Sequence, residues 1–81
     1  MLNLVEVATD IEAWLTRAGY GSSAHADLLV LVKSGTMSDE QALTALEDTY
    51  DWLVRCGLST SGHGLHLAQV IKDAKHLLLS A

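Results

Sequence analysis

The sequence predicts an all-α fold, a small four-helix bundle or pair of helical hairpins, completed by homodimerisation. Three observations carry that prediction. Apolar residues recur at intervals of three and four through most of the 81 residues. Capping side chains and glycines fall where helices would start and stop. No proline interrupts the chain, and 49% of it is apolar, enough for one modest core. Residues 1–81 read as a single helical domain without an internal repeat.

The first helix runs from about Asn3, its cap, to Ala18. Leu4, Val7, Ala8, Ile11, Leu15 and Ala18 fall on one stripe, with Glu6, Asp10, Glu12 and Arg17 off it. Trp14 sits on the edge of that stripe. Gly19 and Gly21, around Tyr20, stop the helix.

The second helix starts after a cap at Ser22 or Ser23 and ends at Lys33 or Ser34, before Gly35. Its run Leu28-Leu29-Val30-Leu31-Val32 points all round the axis and leaves no polar face. Either this helix sits centrally, covered on both sides by the others, or its second face is a twofold self-interface; the second is expected, because a monomer rarely exposes a large contiguous apolar patch. Leu28, Leu29, Val30 and Val32 are the residues expected there.

The third helix opens on the clearest signal in the chain. Ser38-Asp39-Glu40-Gln41 is a capping box, with the two acids placed at the positive end of the dipole. The helix is expected to last to Arg55 or Cys56, with Gly57 as its stop. Ala42, Leu46, Thr49, Tyr50 and Leu53 form a core stripe, widened by Leu43 and Val54. Glu40, Glu47, Asp48 and Asp51 make an acidic opposite face, with Trp52 on the boundary. Ser59-Thr60-Ser61-Gly62-His63-Gly64 reads as a mobile connector. The last helix then runs from about His63 to Leu79, capped by Ser59 or Ser61. It turns Leu67, Val70, Ile71, Ala74, Leu77 and Leu78 inward and His66, Gln69, Asp73 and His76 outward. Short loops imply antiparallel neighbours.

Charge and composition exclude several functions. Ten acidic residues against five basic ones give a net charge of -5, a field that repels phosphate and argues against direct nucleic-acid binding. The second and third helices outline a helix-turn-helix, but the third begins with acids where a recognition helix needs cations and amides. The N-terminus lacks the positive charge of a secretory signal. The longest apolar run, Leu28 to Val32, is far short of the roughly 20 residues that span a bilayer. A cytoplasmic protein without membrane contact is expected, and the lone Cys56 agrees with that.

No residue pattern announces chemistry. Cys56, His63 and His66 would be a metal set by arithmetic, but paired ligands on both sides are missing. His63 is expected to be solvated, and no metal or cofactor is expected. Cys56 falls at the negative end of its helix, which disfavours a thiolate, and reads as a small buried hydrophobe. The stripe of His66, Gln69, Asp73 and His76 reads as a hydrated face, not as a pocket with convergent groups. An acidic four-helix outline of this length resembles acyl carrier proteins, whose phosphopantetheine serine lies in an Asp-Ser-Leu triplet. Here Ser38 precedes its aspartate and no such triplet occurs, so the resemblance carries no cofactor over.

The expected function is therefore non-catalytic: a protein–protein interaction module or small regulator that works by docking helices, as a homodimer. Glu40, Glu47, Asp48, Asp51 and Trp52 are the expected partner surface. An alternative is a mobile-element inhibitor whose acidic helix face occupies a basic, nucleic-acid-binding surface of a host complex. In size and charge, though not in sequence, the chain is similar to anti-CRISPR proteins of that kind.

Overall fold

The computed structural model describes residues 3–80. They form four helices and, among the described residues, no strand: α1 (Leu4–Arg17), α2 (Ala24–Lys33), α3 (Asp39–Arg55) and α4 (Gly62–Ser80). Each starts where a side chain takes up N–H groups that the first turn leaves unpaired. The Asn3 side chain accepts from Glu6 N–H, and Ser23 accepts from Ala26 N–H. At Ser38 the capping box is complete: its hydroxyl accepts from Gln41 N–H at 3.2 Å, and Gln41 Oε1 accepts from Ser38 N–H at 3.0 Å. Ser61, one of the two expected caps, accepts from Gly64 N–H.

The core joins all four helices. Ile11 and Leu15, Leu29 and Val32, Leu46 and Leu53, and Leu67 are its most deeply buried large side chains. Thr49 is the one buried polar residue among those described. It suits an apolar core because its hydroxyl donates to the Ala45 carbonyl at 2.9 Å. α1 packs chiefly on α2 and α3 on α4. α2 also reaches α3, α4 reaches α1, and α1 touches α3.

Contrary to the expectation of a chain without a repeat, the two hairpins share one. Shifting the chain by 38 positions superposes Asp10 on Asp48, Trp14 on Trp52, Leu15 on Leu53, Arg17 on Arg55 and Gly19 on Gly57. It also superposes Ser23 on Ser61, His25 on His63, Leu29 on Leu67 and Val32 on Val70. The two hairpins, α1–α2 and α3–α4, are two versions of one unit. Their loops match bond for bond. Gly19 and Gly57 both adopt positive φ, at 92° and 74°, which a side chain would resist. Tyr20 N–H and Leu58 N–H donate to Leu15 and Leu53 carbonyls, each at 2.8 Å. The Ser23 and Ser61 hydroxyls donate to the Tyr20 and Leu58 carbonyls, at 2.8 and 2.7 Å. Glycine closure followed by a serine cap thus ends one helix and starts the next within six residues, from Ala18 to Ser23 and from Cys56 to Ser61.

Several expectations change. Leu29 and Val32 are buried in the chain's own core, and Leu28 packs against it, so they offer little to a second copy. α2 does have an outward stripe, made of Asp27, Val30, Leu31 and Ser34. Only Val30 and Leu31, 46% and 53% exposed, are large and apolar there. Ala18 lies at the exposed end of α1, while Val54 and Leu77 sit at the margins of their core stripes and are half exposed. The stretch 59–64 is not one loose connector: α4 already begins at Gly62. Gly64 is buried so tightly that a Cβ there would lie 2.6 Å from the Ser59 carbonyl oxygen.

Candidate functional site

The pseudo-twofold relation creates two matching corners. In each, a tryptophan from the end of one hairpin's first helix stacks on a histidine from the other hairpin's second helix. Trp14 and His63 lie 4.8 Å apart at 7°. Trp52 and His25 lie 4.9 Å apart at 9°, with Tyr20 edge-on to Trp52 at 5.5 Å. The common geometry has a common cause. Each Trp is one turn before its loop, each His is the second residue of the helix that follows a loop, and α1–α4 and α3–α2 are equivalent contacts. His63 is thus a half-buried stacking residue, not a solvated one. Both tryptophans sit at the rim of the core.

Beside the Trp14–His63 stack lies an open groove of about 380 Å³, lined by Asp10, Ala13, Arg17, Gly62, His63 and His66. Asp10 and Arg17 are exposed, as are their repeat counterparts Asp48 and Arg55. No polar group of this groove is fully removed from water, so the site lacks the low-dielectric enclosure that makes convergent groups strong catalysts. Among the described residues, no three His, Cys, Asp or Glu side chains are grouped to hold a metal ion. Cys56 is exposed, contrary to expectation, because it caps α3 at its C-terminus and projects past the last packed turn. No described helix is long and apolar enough to cross a membrane.

The acidic face behaves differently. α3 holds Asp39, Glu40, Glu47, Asp48 and Asp51 against Arg55, which is four of the chain's net five negative charges. At 100° per residue, its solvent arc reads Val54, Glu47, Glu40, Asp51, Thr44, Arg55, Asp48, Gln41 and finally Trp52. Trp52 closes the arc on the α2 side, through His25. Glu47 and Val54 close it on the α4 side, where Glu47 Oε2 meets Lys75 Nζ at 2.9 Å. Among the described residues, this is the only ion pair on α3.

Along that border α4 places Leu65, Ala68, Lys72, Lys75 and Leu79 on one stripe. A shallow groove of about 230 Å³ runs between the two helices over Tyr50, Asp51, Ala68 and Ile71. Three exposed large apolar residues share this side: Val54 at 50%, Leu65 at 60% and Leu79 at 86%. The sequence reading finds the acids but assigns Val54 to the core and leaves Leu65 out. Val54's position on the wheel, next to Glu47, is the signal that places it outside.

No protein-family model matches the chain, and neither the curated proteins nor the solved structures contain a significant match to it.

Proposed function

We propose that this protein is a non-catalytic interaction module that docks through the outer side of α3 and α4. One observation carries the reading: the repeat breaks its symmetry there. Where α3–α4 has Glu47, Asp51, Val54, Leu65, Lys72 and Lys75, the equivalent positions of α1–α2 and the turn after it hold Thr9, Ala13, Thr16, Asp27, Ser34 and Met37. The α3–α4 side thus carries two acids and two lysines around exposed Val54 and Leu65, whereas its counterpart carries Asp27, the Glu12–Lys33 pair and Val30. Charges around a small apolar patch set partner choice and orientation, while the patch supplies burial.

The test compares wild-type bait with an acid-neutralised bait, and with a Val30→Ser, Leu31→Ser bait as control. Wild-type protein and a variant with Glu40→Gln, Glu47→Gln, Asp48→Asn and Asp51→Asn are immobilised and exposed to lysate of the source cell. A partner retained by the first and lost by the second is the expected result. Equal retention by both, or loss only with Val30→Ser and Leu31→Ser, removes α3 as the docking helix.

A second reading rests on the length of the acidic arc. Glu40 to Asp51 spans about 16 Å at 1.5 Å per residue, a row of carboxylates suited to a basic nucleic-acid channel. Under this reading the module is an inhibitor of a host complex. Its mark is that the retained partner is a nuclease or ribonucleoprotein whose nucleic acid competes with the protein.

A further inference from the structure

We infer that the occupant of the α3–α4 side is a second copy of this chain, related by a twofold axis running along the α3–α4 seam. The inference rests on the docking side argued above and adds the identity and register of what covers it.

The seam has walls of opposite sign. α3 contributes Glu47 and Asp51, and α4 contributes Lys72 and Lys75. The two helices run antiparallel, as shown by the Lys75–Glu47 bridge and by the groove that Tyr50 and Asp51 share with Ala68 and Ile71. At 1.5 Å per residue, Val54 is then level with Ala68, with Leu65 about one turn further along the seam. Asp51 is level with the turn leading to Lys72, and Glu47 with Lys75.

A twofold axis along the seam lays each α3 over the α4 of the other copy without changing level. Val54 then meets Ala68 of the second copy, with Leu65 about one turn further on, Asp51 meets Lys72, and Glu47 meets Lys75, each contact occurring twice. The axis lying across the seam instead would stack α3 on α3, acid upon acid, and is disfavoured. α3 and α4 are 17 and 19 residues long, roughly 25 and 28 Å. That length suits the roughly 800 Å² per partner of an ordinary specific interface, about a sixth of the 4860 Å² the chain exposes. The arrangement also covers the exposed faces of Val54 and Leu65.

Charge reversal tests it on the intact chain. Mass by light scattering over a concentration series is expected to approach twice 8.7 kDa. Asp51→Lys and Lys72→Asp are each expected to raise the dimer dissociation constant at least about tenfold, since symmetry doubles each change. The combined variant, with both signs reversed, restores dimerisation to within about threefold of wild type. Far-UV circular dichroism should stay unchanged, because both side chains are exposed. A mass of 8.7 kDa at every concentration overturns the inference. So does a dimer indifferent to both reversals, one not rescued by the double variant, or one broken instead by Val30→Asp. The bait comparison is read separately: a monomer whose capture still depends on α3 acids leaves the docking side standing with a different occupant.

Discussion

The two hairpins share their loops and part of their core, from Leu15 and Leu53 onward, and differ along their outer sides. Leu15 and Leu53, Leu29 and Leu67, and Val32 and Val70 are buried at equivalent places, and the Gly–Ser loops repeat each other. The outer sides diverge: Thr9, Ala13, Thr16, Asp27, Val30 and Ser34 on the first hairpin stand against Glu47, Asp51, Val54, Leu65, Ala68 and Lys72 on the second. Inner positions are tied together because each hairpin must fit the same cross-contacts, Trp14 on His63 and Trp52 on His25. Outer positions answer only to water or to a partner. The different charge and apolar content of the two outer sides is therefore where separate tasks are sought.

The largest effect should test that equivalence directly. Leu29→Ala and Leu67→Ala remove side chains of zero exposure from matching sites. Each is expected to cost about 2–5 kcal/mol, with the two values within about 1 kcal/mol of each other. Urea denaturation with a shared m-value measures both. A cost for one and almost none for the other would dissolve the pseudo-symmetry of the core.

Next comes a position where the hairpins differ inside. Ala26 of α2 corresponds to Gly64 of α4, and both are buried. In α4 the backbone of Leu58 and Ser59 closes over the glycine, within 2.7 Å of where a Cβ would stand. Gly64→Ala should cost about 1–3 kcal/mol through overpacking against backbone that cannot rotate aside. Ala26→Gly should cost about 1 kcal/mol through helix propensity and a lost methyl. If Gly64→Ala is neutral, the α3–α4 loop is looser than its partner's fit implies.

Smaller again are the caps. Ser23→Ala and Ser61→Ala each delete a hydroxyl that joins the loop carbonyl to the new helix's first turn. About 1 kcal/mol apiece is expected from thermal or chemical melts. Equal values confirm that the two loops work alike, and an unequal pair marks the hairpin whose start is held by something else.

Helix positions were legible because caps and glycines act over three or four residues, within reach of a reading along the chain. Asn3, Ser23, Ser38 and Ser61 all cap as their residue types suggest. The acidic face of α3 was legible for the same reason, since one helix sets its own periodicity. α2 was misread because five consecutive apolar residues hide which two are outward, and only packing against α1 and α3 selects Val30 and Leu31. The repeat was missed because its shared residues are sparse and mixed in type: Asp, Trp, Arg, Gly, Ser and His at fixed intervals, with different residues between. Reading polar and apolar patterns alone erases that signal, whereas a shift by 38 positions recovers it. The stacks at the corners needed the fold, because each pairs residues from different hairpins.

The smallest effect on stability should be the most telling about function. Among the described residues, each hairpin carries one cross-seam ion pair: Glu12 with Lys33 at 3.9 Å, and Glu47 with Lys75 at 2.9 Å. The shorter pair is also the more exposed, with Lys75 half open to solvent. Water and salt therefore screen it, and geometry alone does not make it strong. Glu12→Gln and Glu47→Gln should each change folding stability by at most about 0.5 kcal/mol. Association should separate them. Glu47 lies on the charged outer side and meets Lys75 of the second copy in the inferred dimer, so Glu47→Gln should weaken dimerisation about threefold or more. Glu12 lies on the side without that role, and its neutralisation should leave the dissociation constant unchanged. Equal weakening by both would mean that total charge governs association, and the difference between the two outer sides would then carry no specificity.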